Sequence, residues 1–530
     1  SYDLIKRVKE LPKQELLSHL SILKDSELLY ERGIYPETTY IFKHALTRDV
    51  VYESILTKKK KKLHEKIGNA VEELYADRIE EQYELLAHHY ALSEHWEKAV
   101  HFGRLAAEKA NKLSQFQQAV TIYEQTLEWL LKLPENRLRQ ESQVDIQIDI
   151  CWSNFGLGQF EEAEGACLQA ETTSKLLNDR KRLGTIYLGI GYSYVFRGNF
   201  KKTEYYALRA IEYLEGTGEE RSLAVNNLLL GGCYIGQGLW RKGEPYISKA
   251  LRAYEKLGQK TEYAIGLNVL GYTAGSGQLG YNLGVMGRIA EAKEIFEKGY
   301  TPELEQISNL TTKMTYCSWQ GLFISLIGED HFGAEAKIDQ LVELAEQSDN
   351  SFMILVFSVA KANALLGMED FEKALSSSQK ALKAIEGKEI RTGHVVNLYY
   401  DLVLAELRSG EQKSAKQHYE KGRPLVKMSP HWWEPRFDFL QGLLLKAEAS
   451  PDYMQAEGCF QKSIQGDEEV GAVVPAAQTR FYLAQVLTQK GEVEQSREML
   501  TELNRQFQSW GIPVWQQKCE RELEALSSMG

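Results

Sequence analysis

The amino-acid sequence predicts an all-α chain: a right-handed superhelical solenoid of helix hairpins repeating about every 40 residues, preceded by a small N-terminal segment of a different kind. Three observations predict it. Small residues return at a fixed period from about residue 110 to residue 510. The 43% hydrophobic and 26% charged composition is that of a chain folded throughout. No stretch alternates in the manner of a long β-sheet.

Repeats are sought first, because a repeat protein of 530 residues is one growing core rather than several globular domains. The recurring unit has a small residue late in one helix, a turn, and a small residue in the middle of the next helix. Gly191, Gly198 and Ala210 show it most clearly. Gly231, Gly238 and Ala250 repeat it, as do Gly280, Gly287 and Ala292, and later Ala484, Gly491 and Ser496. The turn markers are Ser114, Gly158, Gly198, Gly238, Gly287, Gly328, Glu369, Gly410, Pro451 and Gly491, nearly all 40 or 41 residues apart. The reason is steric: antiparallel helices approach closely only where small residues cross, and the turn favours a residue tolerant of positive φ. Aromatics at Phe160, Phe200, Phe371 and Tyr453 fill the space beside the turn.

These units, seen as GQFEEA, GNFKKT and EDFEKA, resemble the tetratricopeptide repeat. A period above the usual 34 residues implies longer helices and a deeper groove. The resemblance implies a fold and does not specify a function. One interval is longer and contains the glycine-rich run from Gly271 to Gly287. A phosphate-binding loop is not indicated, since no Gly-Lys-Ser/Thr follows and no strand precedes it. An inserted turn or a close helix crossing is expected there.

The organisation expected is a winged-helix-like segment over residues 1–65, a helical linker or first repeat over 66–110, the solenoid over 111–510 and a capping helix over 511–530. The first segment is read from helical patterns followed by a short β-hairpin around Leu28 to Phe42, with an Arg-Gly and a Tyr-Pro turn signal. Helical character already at Ser1, with no methionine before it, suggests a piece of a longer chain.

Net charge of −11 argues against a general nucleic-acid binder. Six cysteines without a CxxC pair exclude the usual zinc-ribbon and thioredoxin spacings. Without a signal-peptide core or an apolar run near the roughly 18 residues of a membrane span, a cytoplasmic protein is expected. His88, His89, His95 and His101 form the densest histidine cluster, yet HExxH is missing and no ligand set is in register, so no metal and no other cofactor is expected. No nucleophile finds a histidine partner on a mixed α/β pattern, and no enzyme is expected.

Binding residues are sought on the first helix of each pair, which lines the concave face of such solenoids. Tyr192, Asn226, Tyr281, Asn397, Tyr400 and Arg436 project there, a mixed aromatic and polar set suited to a peptide or protein ligand in the groove. Trp432 and Trp433, next to Arg436, have the composition of a binding hot spot, although tryptophans also serve as wedges between helices. Lys58, Lys59, Lys60, Lys61 and Lys62 are the one dense basic block. They read as a solvated helix face, with an acidic partner or nucleic acid as the alternative.

The run FKHALTRDVVYESIL, followed by LHEKIGNAVEEL and ELLAHHYALSEHWEKAVHF, resembles the segment after the ATPase core in bacterial signalling proteins. Those proteins join a class III adenylate/guanylate cyclase domain to a STAND-type AAA ATPase and a tetratricopeptide tail. Phe42, His44, Arg48, Asp49, Tyr52, Leu63, His64, Leu86, His89 and Tyr90 carry the match, and FQSWGIPVWQQKCERELEAL resembles the closing helix of such tails. The resemblance implies the sensor part of a switch ATPase with the ATPase or effector domain attached at the N-terminal side. This chain carries no Walker A motif and no cyclase aspartate pair. The alternatives are a stand-alone scaffold binding a catalytic partner, and a DNA-binding regulator fragment.

Overall fold

In the computed structural model, the period found in the sequence becomes backbone geometry. Nine of the ten turn markers, all but Pro451, hold a positive φ, from 60° at Ser114 to 85° at Gly491. At Pro451 the pyrrolidine ring forbids that conformation, and the turn is made without it. Two residues after every marker but Gly328 the second helix of the hairpin starts, so Phe160, Phe200, Phe371 and Tyr453 each open a helix. The structure describes residues 1–33, 38–261, 269–347, 350–388, 390, 392–428 and 430–528. They form two units, Ser1–Ser153 and Asn154–Gly530.

The first unit contains α1 (Tyr2–Lys9), α2 (Lys13–Asp25), β1 (Leu29–Arg32), β2 (Thr39–Phe42), α3 (Ala45–Ser54), α4 (Thr57–Leu74), α5 (Tyr83–Leu92), α6 (Trp96–Lys112), α7 (Phe116–Leu130) and most of α8 (Arg137–Leu157). The strands are antiparallel, with Leu29 opposite Phe42 and Arg32 opposite Thr39. Of the two turn signals, Gly33 follows β1 with a φ of 93°, while Tyr35 and Pro36 lie outside the described residues. Tyr2, Leu16, Leu20 and Leu29 make a small core beneath the hairpin. Val71, Leu86, Tyr90 and Phe102 make the next, between α4, α5 and α6.

The second unit continues with α9 (Phe160–Leu177), α10 (Arg180–Phe196), α11 (Phe200–Leu214), α12 (Glu220–Gly236), α13 (Trp240–Lys256), α14 (Gly271–Val285), α15 (Ile289–Gly299), α16 (Pro302–Ile307), α17 (Leu310–Ile327) and α18 (Ala334–Gln347). It ends with α19 (Ser351–Gly367), α20 (Phe371–Ala384), α21 (Gly393–Arg408), α22 (Gln412–Gly422), α23 (Pro430–Ala447), α24 (Tyr453–Val470), α25 (Val473–Gln489), α26 (Val493–Trp510) and α27 (Pro513–Ser528). The result is an almost entirely α-helical solenoid of stacked helix hairpins.

First helices of the pairs, such as α12, α14, α19 and α25, are buried nearly all round, whereas second helices such as α13 and α26 bury one stripe. A helix apolar on all sides belongs inside, so the first helices form the inner layer. The glycine-rich run is itself one of them. Gly271 to Val285 is continuous helix, not an inserted turn. Its glycines replace side chains where neighbours press in: a Cβ at Gly280 would meet the Phe296 ring, and one at Gly284 the Phe323 ring. The extra length of that interval precedes α14, where residues 262–268 lie outside the described part.

The second unit coils until distant hairpins touch. Asn350 Nδ2 donates to the Gly156 carbonyl at 3.2 Å across 194 residues of sequence. The Trp240 and Trp432 rings meet edge-on at 4.8 Å. Gln478 Nε2 donates to the Leu326 carbonyl at 2.9 Å, across 152 residues. Inner helices far apart in sequence are thereby brought around one space.

Candidate functional site

That space is a cavity of about 130 Å³ in the second unit, lined by α14, α17, α19, α21, α23, α25 and α27. At about 30 Å³ per water it has room for about four waters, so it admits one or two side chains but no folded partner. Helical spacing explains the lining. From α21 come Asn397, Tyr400, Asp401, Leu404 and Arg408, at intervals of three and four that define one face. From α23 come Trp432, Trp433, Arg436 and Phe439, and from α25 Pro475, Gln478 and Tyr482. Tyr281 of α14 and Trp515 and Lys518 of α27 complete the aromatic and charged wall.

Charge in the cavity is mostly matched. Arg436, 7% exposed, donates through Nη2 to the fully buried Asp467, and its guanidinium lies 4.5 Å from the centre of the Trp432 ring. Among the described residues its Nε and Asp467 Oδ2 have no partner. Burial raises the Asp467 carboxyl, and Arg436 opposes that shift. Lys518 Nζ pairs with Glu369 at 2.7 Å and sits 4.0 Å over the Trp515 ring, and burial lowers its ammonium against the pull of Glu369. Arg408, at the rim, donates to the Tyr482 hydroxyl at 2.5 Å.

Asp401 is the exception. Its side chain is fully buried, and Oδ2 accepts from Asn397 Nδ2 at 2.9 Å and from Asn363 Nδ2 at 3.3 Å. Oδ1 has no partner, and among the described residues no ion pair involves this carboxylate. Burial holds the carboxyl well above the ordinary 3.8, with the Asn397 hydrogen bond as the opposing influence. A buried acceptor left open in a cavity wall is costly unless something else fills it.

Six of the residues projected onto the groove from sequence, Tyr281, Asn397, Tyr400, Trp432, Trp433 and Arg436, line this one cavity. Two do not. Tyr192 is half-buried beside Phe155 and Phe196, and Asn226 is fully buried with Nδ2 donating to the Ala207 carbonyl at 2.9 Å. Asn226 faces the second helix of the preceding pair rather than the interior, a register error of one helix face. Trp432 serves both expectations, as a wedge against Trp240 and as cavity wall. Asp401, Arg408, Tyr482 and Lys518 were not singled out from sequence. A lone acid inside the run NLYYDLVLA was the available signal for the first.

In the first unit Lys58, Lys59 and Lys62 are exposed on α4, Lys60 pairs with Glu53 at 2.8 Å, and Lys61 pairs with Glu94. The histidines there are dispersed among packing roles. His64 Nδ1 lies 2.8 Å from His89 Nδ1, the Tyr52 hydroxyl is 2.9 Å from His64 Nε2, and His95 approaches Glu65 at 3.2 Å. Among the described residues no group of three or more His, Cys, Asp and Glu side chains is disposed to hold a metal ion, and no helix is long and apolar enough to cross a membrane. Among the described residues the helical scaffold carries no catalytic signature.

No family model matches the chain, and no curated protein matches it. Solved structures similar to it are helical-repeat proteins. A Rap protein complexed with competence and sporulation factor shares 13% identity over 82% of this chain and 98% of its own, with a TM-score of 0.39. Human IFIT1, solved as a dimer with PPP-AAAA, shares 12% over 80% and 94%, with a TM-score of 0.42. Yeast Tom70 shares 12% over 82% and 96%, with a TM-score of 0.31. Likeness at that level transfers neither a ligand nor a partner.

Proposed function

We propose that the chain is a non-catalytic regulatory solenoid that receives a peptide or protein segment in the cavity of its second unit. The observation that carries this reading is the convergence of seven inner helices on one aromatic and polar space whose lining residues Asp401 and Arg436 keep, among the described residues, a buried polar atom without a partner, Oδ1 and Nε. A buried polar atom without a partner is a cost that a ligand can relieve. The volume suits an inserted side chain with its backbone at the mouth. Aromatic residues and arginine supply the rigid contacts typical of binding hot spots.

Within that reading, we place the chain as the sensor part of a STAND-like signalling ATPase, on the residues around Phe42 to Tyr90 that resemble the segment following such an ATPase core. Occupancy of the cavity would bias how tightly the solenoid coils, and an ATPase or effector attached at the N-terminal side would feel the difference. The test is capture of a partner from native lysate by the intact chain and by a Tyr400→Ala variant with an unchanged circular dichroism spectrum. Loss of a specific partner in the variant supports the cavity as the receiving site. Equal capture by both chains refutes it and directs attention to the exposed face of α4.

A further inference from the structure

Two of the three cations that line the cavity have an acid of their own. Arg436 holds Asp467 and lies on Trp432, and Lys518 holds Glu369 and lies on Trp515, while the exposed Arg408 lies on Tyr482. The two buried cations thus have both a carboxylate and an aromatic face, the two features that stabilise a desolvated positive charge. Asp401 has the carboxylate and the aromatic surroundings, with Tyr400 beside it on α21 and Tyr281, Trp432 and Trp433 in the same wall, but it has no cation. Its Oδ2 is held by two amides, which fixes the carboxylate plane, and Oδ1 is left open.

We infer that Asp401 is the anchor of a cation subsite that takes the basic side chain, a guanidinium or an ammonium, of an inserted peptide. The inference rests on the reading of the cavity as a peptide site. The ligand's cation would complete the arrangement that the protein makes internally at Arg436 and Lys518: a charge-assisted hydrogen bond on one side and aromatic faces on the other. A neutral polar group would satisfy Oδ1 but would leave the aromatic faces without the charge they attract. An acid on the ligand would meet Asp401 and be repelled. A volume of about 130 Å³ matches one long basic side chain.

The experiment selects heptapeptides displayed on phage against the full chain and against Asp401→Asn, with agmatine titrated calorimetrically into both. The amide variant keeps an acceptor for Asn397 and nearly the same shape. Expected is enrichment of Arg or Lys at one fixed position on the wild type. The selected peptide should then lose at least tenfold in affinity on Asp401→Asn, and replacing its arginine by citrulline should lose as much on the wild type and nothing further on the variant. Enriched peptides without a basic position, or a citrulline effect undiminished in the variant, overturn the cation subsite while leaving the peptide site standing. Agmatine binding that requires Asp401 without any enriched peptide keeps the subsite and overturns the peptide reading. Binding of neither probe overturns both. Should Asp401→Asn fail to fold, the citrulline exchange on the wild type decides alone.

Discussion

A carboxyl group buried without a cation destabilises the chain that carries it, and at Asp401 the size of the effect can be worked out. Its folded value lies well above the ordinary 3.8. A raised carboxyl leaves stability intact below 3.8 and costs stability as the pH climbs from there towards the folded value. The cost is about 1.36 kcal/mol per pH unit. Asp401→Asn removes this cost and keeps the acceptor for Asn397 and Asn363, but turns an amide N–H toward the cavity in place of Oδ1. An unsatisfied donor there offsets about 1–3 kcal/mol. The variant should therefore gain stability relative to the wild type as the pH rises from 5 to 7. That gain is independent of the amide offset, which does not titrate. Urea unfolding followed by tryptophan fluorescence measures it, since Trp432 and Trp433 share the cavity wall. A stability difference that does not change between pH 5 and pH 7 refutes the account of Asp401.

Three further outcomes follow from the same structure. Arg436→Met strands the fully buried Asp467 and should cost roughly 3–5 kcal/mol, most of which Arg436→Met with Asp467→Leu should restore in denaturant unfolding. In the first unit, burial lowers His64 and holds His89 down at about 4, the two rings lying against each other. Both are neutral in the fold, so stability is complete above 6.5 and is lost as the pH falls toward 4. Discounted for the partial exposure of His89, the loss is about 1–2 kcal/mol, and His89→Phe should flatten the acid side of a thermal-melt profile. Gly321→Ala places a methyl group on the Ala360 backbone between α17 and α19 and should lower the melting temperature by several degrees, whereas Gly165→Ala, which meets open space, should leave it unchanged or higher.

The parts of this architecture that were legible in the sequence are those set by local stereochemistry. A turn that needs positive φ selects glycine, and two helices that cross closely select small residues. Gly158, Gly198, Gly238, Gly287, Gly328, Gly410 and Gly491 therefore announced both the hairpins and their period. Glu369 and Ser114 were found only because the period pointed at them. The glycine-rich run at 271–287 was harder, because glycine both breaks helices and permits close packing. There the neighbours Phe296, Phe323 and Trp319 decide for packing, and none of them is near in sequence.

The cavity illustrates the complementary limit. A helix stripe such as Asn397, Tyr400 and Arg408 can be projected from spacing alone, but its direction depends on which neighbour it meets. Asn226, projected in the same way, turns to the Ala207 carbonyl. What brings Tyr281 to Arg436 and Lys518 is the coiling of the second unit, and that depends on small steric allowances repeated along it. Gly321 and Gly367 let α17 and α19 approach backbone to backbone, and Gln478 then reaches the Leu326 carbonyl at the end of α17. A site assembled by such a closure has no sequence motif, because its members are fixed by accumulated rotation rather than by separation along the chain. Cavity and coil are coupled by geometry: to the extent that a ligand between α21, α23 and α27 favours one degree of coiling, that degree of coiling must favour the ligand by the same factor.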